Sequence, residues 1–261
     1  PYLLIAISLT AITHEVAHGV AARVEGINVN SAGIIFALVF PVGFVELKDE
    51  DFKEASTVSK LRVLAAGSSV NMFTGLLVFL MLSTLFVGAP SGIVVLEVLG
   101  GGPLEQAGIQ RWDVIYAVNG TLIRTFQDLD VFMANVTPGE RLMLSTSRGE
   151  VSITSINSTD DPDRAIIGIL WPFMLYYPSR LGLGFFWDIQ LSVTLTWVFT
   201  IMISVAVSNM LPITFFDGEK FLYYIFEKST GRGGLMRTFF NLLCLFLIVA
   251  NMILTISKGL F

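Results

Sequence analysis

Four apolar segments of the chain are long enough to cross a bilayer as helices. A span of roughly 20 apolar residues covers a hydrocarbon core of about 30 Å. The segments run from about Tyr2 to Ala22, Leu61 to Val87, Leu183 to Met210 and Leu235 to Ser257, and we call them spans A to D in that order. The pattern predicts an α-helical membrane protein with about four transmembrane helices.

A shorter apolar run lies between spans A and B. It extends from Ile34 to Val45 and is interrupted by Pro41 and Gly43, so it cannot cross a membrane as a helix. We predict a re-entrant hairpin or a pair of short strands at the membrane face. Non-helical backbone at that depth must lie against protein or a water-filled cavity.

The segment between spans B and C has a different pattern. It is polar and punctuated by glycine, and runs such as IVVLEVL, DVIYAVNG and LMLSTS alternate as strands do. PLEQAGI is typical of a short helix, and Asn119-Gly120 predicts a tight turn. We therefore predict a membrane core at 1–90, a small α/β insert at 91–160 and a second membrane part at 161–261.

The composition supports this organisation. Charged residues make up 14% of the chain, against about 25% in soluble domains. The net charge of −5 argues against nucleic acid as a partner. Cys244 is the only cysteine, so no internal disulfide can form. Because the chain starts at Pro1 inside an apolar run without a basic segment, we expect a fragment rather than a signal peptide.

The lysine and arginine distribution predicts the orientation. Basic residues follow span A and lie between spans C and D, and such residues favour the cytosolic side. They are Lys48, Lys53, Lys60 and Arg62 in the first loop, and Lys220, Lys228, Arg232 and Arg237 in the second. We therefore expect both loops to be cytosolic and the insert to lie outside.

Span A carries a metal-binding pattern, His14-Glu15-Val16-Ala17-His18. Residues four apart share a helix face, so both imidazoles can bind one ion, and Glu15 can take a proton from water beside it. The chain has two histidines, both in this motif, and ionisable residues within an apolar span are usually functional. The pattern favours a Zn²⁺ site over a pair of buried, hydrogen-bonded histidines.

Zinc requires a third protein ligand and an open position. Since no third histidine exists, the ligand is a carboxylate or Cys244, and the carboxylate candidates are Glu46, Asp217 and Glu219. Glu46 follows the motif at a spacing that a gluzincin could use, but it lies in the predicted hairpin region. We expect Glu219 to be solvated. Asp217 follows the helix-breaking Pro212, which favours it as the third ligand over the alternative of a turn or cap residue.

The motifs together resemble the site-2 protease family of intramembrane metalloproteases. HEVAHG is followed by a distant N-x-x-P-x(4)-D-G, formed by Asn209, Pro212, Asp217 and Gly218. Between them, Gly67 to Asn71 resembles the family's G-x-x-x-N element, and SAGIIFALVFPVGFVE resembles its membrane-facing hairpin. The family's usual L-D-G is Phe216-Asp217-Gly218 here, and the element order is preserved over nearly the whole chain.

This resemblance implies a site and a substrate. His14, His18 and Asp217 are expected to hold Zn²⁺, with Glu15 as the catalytic base and Pro212 shaping the break before Asp217. Asn71 and Asn209 are expected to orient substrate or stabilise the oxyanion, or else to form hydrogen bonds between helices. The substrate implied is a transmembrane helix of a membrane protein.

The insert resembles a PDZ domain over GIVVLEVLGG and the residues that follow. The common G-D pair is Trp112-Asp113 here, and Gly100 to Gly102 could either receive a peptide carboxylate or form a plain turn. A bound peptide is therefore one expectation for the insert. The rival hypotheses for the whole chain are a gluzincin using Glu46, a non-catalytic PDZ scaffold anchored in the membrane, and a transporter.

Overall fold

The computed structural model describes residues 1–37 and 40–258, apart from the side chains of Ala37, Phe40 and Val42. Leu38 and Val39, in the predicted hairpin, lie outside the described residues. The helices are α1 (Tyr2–Val24), α2 (Asp49–Glu54), α3 (Thr57–Leu85), α4 (Pro103–Gln106), α5 (Phe126–Met133), α6 (Phe185–Ser208), α7 (Asp217–Thr230) and α8 (Gly233–Ser257). The strands are β1 (Val29–Ala37), β2 (Phe40–Leu47), β3 (Gly92–Val94), β4 (Glu97–Val98), β5 (Val114–Val118), β6 (Thr121–Leu122), β7 (Arg141–Thr146), β8 (Gly149–Thr154), β9 (Ile156–Asn157), β10 (Ala165–Ile166), β11 (Ile169–Leu170) and β12 (Met174–Tyr176).

The four predicted spans are confirmed as helices. Each of α1, α3, α6 and α8 is long and apolar enough to cross a membrane. The most apolar stretch of α8 has a mean hydropathy of 2.4 and no buried residue. A soluble monomer rarely leaves so large an apolar surface uncovered, so this helix is suited to contact with lipid.

The described part of the short apolar run lies in a pair of strands, one of the two structures predicted for it. Strands β1 and β2 are antiparallel, with Gly33 opposite Phe44 and Ile35 opposite Val42. Strand β2 lies against α1, because a Cβ at Gly43 would come 3.2 Å from the Cα of Ile12. Glycine at this position therefore allows the strand to pack directly on the helix that carries the histidine motif.

The chain divides into two compact units by its internal contacts. One combines Pro1–Leu80 with Thr194–Phe261, and the other is Met81–Val193. The second unit contains a six-stranded antiparallel sheet in the order β12-β3-β5-β7-β8, with β6 paired to β5. Its core consists of fully buried aliphatic side chains, among them Ile93, Leu104, Ile115, Leu142 and Leu144.

The tight turn predicted in the insert is present at Asn119-Gly120. Both residues have positive φ, 47° and 77°, which is the backbone of a two-residue hairpin turn. The Asn119 side-chain oxygen also accepts a hydrogen bond from the Met143 N–H at 2.7 Å. Asn119 thus stabilises the turn between β5 and β6.

The strand pairing of the insert continues past residue 160, where the sequence predicts the end of the insert. Strand β12 pairs with β3, with Leu175 opposite Ile93, and β11 pairs with β4. The predicted organisation assigns the chain after residue 160 to the second membrane part. The strands beyond it have only two or three residues, too few to display an alternating pattern.

Trp112 adopts the backbone that glycine would favour at the equivalent place. Its φ is +77°, a conformation that costs a non-glycine residue roughly 1–2 kcal/mol. Arg111 lies over the indole ring at 5.0 Å. The next residue, Asp113, is buried and accepts hydrogen bonds from the Gln110 N–H and Arg148. The loop thus keeps an ordered shape despite the departure from Gly-Asp.

Candidate metal centre

Helix α1 presents both motif histidines on one face. His14 is buried and its Nε2 lies 3.1 Å from the Nε2 of His18. The two rings meet edge to face, with centroids 4.8 Å apart. The i,i+4 spacing therefore brings together two imidazole nitrogens that can bind one ion.

The loop after α6 carries Asp217 to the same place. The helix ends at Ser208, four residues before Pro212, and α7 begins at Asp217 itself. Asp217 Oδ2 lies 3.3 Å from His14 Nε2 and 3.1 Å from His18 Nε2. Among the described residues, these three form the one group of histidine, cysteine, aspartate or glutamate side chains close enough to share an ion.

Gly218 fixes the position of this aspartate. Its N–H donates to the Asn209 carbonyl at 2.9 Å. A Cβ at Gly218 would come within 2.2 Å of the Met210 carbonyl oxygen, which is a backbone atom. Only glycine can make this close approach, so the Asp-Gly pair is required by the turn that delivers the carboxylate.

The three ligand atoms match one face of a zinc tetrahedron. With zinc–ligand bonds of about 2.0–2.1 Å, two ligands of a tetrahedral ion lie about 3.3 Å apart. The observed edges are 3.1, 3.1 and 3.3 Å. Two imidazoles and one carboxylate are also a donor set that zinc prefers when a fourth position stays open for water or substrate.

A cavity of about 540 Å³ borders the triangle formed by His14 Nε2, His18 Nε2 and Asp217 Oδ2. Glu15 lines this cavity beside His14 and His18. Its carboxylate forms no hydrogen bond or ion pair within the described part of the chain. Phe215, which is 96% exposed and has a φ of +81°, lies at the same cavity. Glu15 is therefore placed to exchange a proton with water near the ligand atoms.

Electrostatics favour an ionised Asp217. In the absence of a metal ion, burial disfavours its charged form, but hydrogen bonds and charge from the adjacent imidazoles of His14 and His18 outweigh this effect and hold the pKa of the Asp217 carboxyl well below its ordinary value. The carboxylate is therefore deprotonated at neutral pH, which is the form that binds a metal ion.

Two asparagines predicted at the site both lie beside His14. The Asn209 side-chain N–H₂ donates to Asp217 Oδ2 at 2.9 Å and lies 2.7 Å from His14 Nε2. The amide of Asn71 is fully buried and lies 3.1 Å from His14 Nδ1. Of the two, Asn209 lines the cavity and Asn71 contacts the far side of the ring.

Comparison with known proteins identifies the family. The sequence model of Peptidase family M50 matches residues 2–254. This chain belongs to Peptidase family M50. The resemblance to site-2 proteases inferred from the motifs is thereby confirmed, and a metalloprotease is the class that this family indicates.

Relatives of the M50 chain include three curated proteins. It is 33% identical to an uncharacterized protein of Methanocaldococcus jannaschii over 58% of this chain and 40% of that protein. It is 29% identical to a protein of Thermotoga maritima described as a candidate zinc metalloprotease, over 45% of this chain and 29% of that protein. It is also 29% identical to a membrane-bound transcription factor site-2 protease homolog of Arabidopsis thaliana, over 46% and 24%. The chain thus spans less than half the length of these relatives.

Among solved structures, the insert of the M50 chain is similar to a PDZ domain. The match is to the PDZ domain of an SdrC-like protein from Listeria monocytogenes, at 16% identity and a TM-score of 0.28. It covers 33% of this chain and 87% of that domain.

The other predicted ligands of the M50 chain are used elsewhere. Glu46 lines the cavity but accepts a hydrogen bond from the Ser31 hydroxyl at 2.6 Å. Glu219 was expected to be solvated, but its side chain is mostly buried and pairs with Arg237 on α8 at 3.4 Å. Cys244 lies half-buried on α8. None of these three belongs to the metal-binding group found among the described residues.

Gly67, the first residue of the G-x-x-x-N element, faces the two histidines across the site. A Cβ there would lie 2.5 Å from His14 Cε1 and 2.6 Å from Nε2 of both His14 and His18. Real Cβ atoms do not make such contacts, so α3 can pass this close to the rings only as glycine. The motif was predicted, but sequence reasoning gave Gly67 no role.

In the insert, the glycine run forms a turn. The Gly101 N–H donates to Glu105, and its carbonyl accepts from Gln106, both at 2.6 Å. The Gly102 N–H donates to the Leu99 carbonyl. Of the two readings left open for Gly100 to Gly102, the plain turn is the one these bonds favour, because two of the three amides are already engaged.

Proposed function

We propose that this M50 chain is an intramembrane zinc metalloprotease that hydrolyses a peptide bond in or near a transmembrane helix of a membrane-protein substrate. The observation that carries the proposal is the triangle of His14, His18 and Asp217, with Glu15 lining the cavity beside it. His14, Glu15 and His18 lie on a helix long enough to cross a membrane. Ionisable groups in such a helix are energetically costly, and their presence there usually indicates a function.

The chemistry follows from the residues around the cavity. When bound by His14, His18 and Asp217, zinc supplies Lewis acidity that activates water and a carbonyl group. Glu15 removes the proton from the attacking water and later delivers it to the leaving amine. Asn209, which lines the cavity and can donate from its amide, is the candidate for contact with developing negative charge.

The substrate proposed is a helix that unwinds locally at the hairpin. An intact helix hides its scissile amide in backbone hydrogen bonds, so an extended segment must form before cleavage. Strands β1 and β2 make a two-stranded sheet, and Val45, Glu46 and Leu47 of β2 line the cavity. An extended substrate segment that adds to this sheet would lie beside the ligand atoms.

The proposed setting is an integral, multi-pass membrane protein. The lysine and arginine bias supports cytosolic loops around the site and an insert on the opposite side. In this orientation the metal centre lies toward the cytosolic face rather than at the bilayer centre. Water can then reach Glu15 through the cavity, which is also lined by the polar side chains of Glu46, Asp49 and Lys220.

Peptide binding by the insert is the second candidate function. A cavity of about 140 Å³ lies between α5 and the segment 164–169, and Leu129, Met133 and Ile167 line it with apolar side chains. Phe173 stacks on Phe126 at its border, with ring centroids 4.0 Å apart. The size and lining of this cavity suit one apolar side chain of a peptide better than the glycine turn does.

Removal of the metal tests the proposed protease activity. The purified chain, reconstituted in liposomes with a model transmembrane peptide, is expected to cleave the peptide. Treatment with a chelator is expected to remove at least about 90% of that activity, because a Lewis acid contributes several kcal/mol and about 1.4 kcal/mol is already tenfold in rate. Added zinc is expected to restore the activity. A soluble peptide that contains the same cleavage sequence without the transmembrane helix is the control, because it shows whether cleavage requires a substrate in the membrane. Cleavage that persists at full rate in the metal-free protein would rule out the proposed mechanism.

A further inference from the structure

Asn71 is enclosed between α1 and α3, where a substrate cannot reach it. Its side chain is 0% exposed and does not line the metal-site cavity. Its amide has two neighbours, His14 Nδ1 and the Thr13 hydroxyl, each at 3.1 Å. A role for Asn71 must therefore act through His14 rather than through direct contact with substrate.

The hydrogens available at Thr13 decide which end of the amide faces His14. The Thr13 Oγ1 lies 2.9 Å from the Leu9 carbonyl and 3.1 Å from the Thr10 carbonyl, and these oxygens only accept. A hydroxyl has one hydrogen. If Thr13 donates this hydrogen to one of the two carbonyls, its oxygen can only accept from Asn71. The Asn71 N–H₂ then faces Thr13, and the Asn71 carbonyl oxygen faces His14. The oxygen and nitrogen of an asparagine amide can exchange places without any change in the shape of the side chain, so both orientations fit the same space.

The surroundings of His14 Nε2 support the same orientation. If the Asn71 N–H₂ faced His14, Nδ1 would accept and the imidazole hydrogen would lie on Nε2. That hydrogen would then meet the N–H₂ of Asn209, 2.7 Å away. With the Asn71 oxygen as acceptor, Nδ1 carries the hydrogen and Nε2 presents a lone pair. This is the form in which Nε2 can bind a metal ion.

His18 shows the same arrangement with a backbone partner. Its Nδ1 lies 2.7 Å from the Val63 carbonyl oxygen, which can only accept a hydrogen bond. The hydrogen of His18 is therefore on Nδ1, and Nε2 is again bare. Both imidazoles direct lone pairs at the point where Asp217 Oδ2 also lies.

We propose that Asn71 and Thr13 are positioning residues for His14, forming a chain from His14 Nδ1–H through the Asn71 amide to the Thr13 hydroxyl and the Leu9 carbonyl. The inference rests on the proposed zinc site and goes beyond it by assigning Asn71 to ligand orientation instead of to substrate or oxyanion contact. Loss of such a partner of a metal-binding histidine typically lowers metal affinity 10–100-fold.

The test is the zinc affinity of Asn71 variants, measured by competition with a chromogenic chelator on the purified full chain. Asn71→Leu removes the acceptor at similar size and is expected to lower the affinity about 10–100-fold. Asn71→Asp retains an oxygen facing Nδ1–H and is expected to restore affinity to near the wild-type value. This measurement does not depend on cleavage. A chain that binds zinc but cleaves no peptide would refute the proposed function, whereas the zinc affinities of the variants would still decide whether Asn71 positions His14.

Variants of Thr13 test the second link with a matched control. Thr13→Val is expected to weaken zinc binding severalfold, since one hydrogen-bond partner of the amide is lost, and Thr13→Ser should retain it. Thr10→Val is the control, because Thr10 is a buried threonine on the same helix whose hydroxyl has no partner among the described residues. Thermal unfolding without zinc verifies that each variant is folded.

Two results would overturn the proposal. One is a wild-type zinc affinity in both Asn71→Leu and Thr13→Val. If Asn71→Leu also lost cleavage, Asn71 would instead act on the substrate. The other is an Asn71→Asp protein that is folded but binds zinc as weakly as Asn71→Leu. If Asn71→Leu does not fold, the comparison of Asn71→Asp, Thr13→Val and Thr10→Val decides in its place.

Discussion

Glu15→Gln is expected to bind zinc and fold as the wild type does, and to cleave a transmembrane peptide about 10²–10⁴-fold more slowly. The range is the usual contribution of a general acid–base group. Glutamine has the same shape but cannot accept a proton from water, and Glu15 is not among the three grouped ligand residues. Initial rates on the reconstituted chain, with zinc content measured on the same sample, check both halves of this prediction.

Glu46→Gln provides the matched control for Glu15→Gln. Glu46 is the other glutamate that lines the cavity, but its carboxylate is bonded to the Ser31 hydroxyl. We expect this variant to keep cleavage within a few-fold of wild type, since one hydrogen bond is weakened without loss of a catalytic group. A Glu15→Gln chain that cleaves at more than a tenth of the wild-type rate would show that another residue moves the proton.

Gly67→Ala is expected to abolish zinc binding and, with it, cleavage. The added methyl would lie 2.5–2.6 Å from atoms of both imidazoles. The rings have little room to yield, because His18 is bonded to the Val63 carbonyl and His14 to Asn71. One or both Nε2 atoms must therefore leave the triangle. Zinc content of the purified variant is the direct measurement.

Gly75→Ala on the same helix is the control for this substitution. A Cβ at Gly75 would meet the Ile203 side chain at 2.8 Å, and its Cδ1 is the far end of a flexible chain. We expect a stability loss on the order of 1–3 kcal/mol, as for other overpacked positions, with zinc retained. Full zinc occupancy in Gly67→Ala would mean that the imidazoles do not lie against α3 as described.

The four long apolar helices and the strand pair β1 and β2 could be predicted because length and hydropathy determine them. The limits of spans A to D fall within a few residues of the observed helices. The end of the insert could not be predicted in this way. Strands β10 to β12 are two or three residues long. Strands β11 and β12 are also held by pairing with strands more than 60 residues earlier in the chain, as for Leu175 and Ile93.

The metal site was only partly accessible to sequence reasoning. The histidine pair follows from helical spacing, whereas Asp217 lies 199 residues after His18 and its spacing could not separate it from Glu46 or Glu219. The physical signal was Gly218, whose necessity becomes visible only when Met210 is seen against it. Thr13 gave no signal, because a threonine within an apolar helix has no pattern that reveals its neighbour.

Zinc content of Asp217→Asn and Glu46→Gln, measured on the purified chain by elemental analysis, tests the central claim most directly. The account predicts that Glu46→Gln retains the wild-type zinc content, and that Asp217→Asn loses most of it, as His14→Ala should. Asparagine removes the anionic ligand while preserving the shape that Gly218 and Asn209 hold in place. Zinc retained by Asp217→Asn but lost from Glu46→Gln would contradict the account and assign the third ligand to the hairpin.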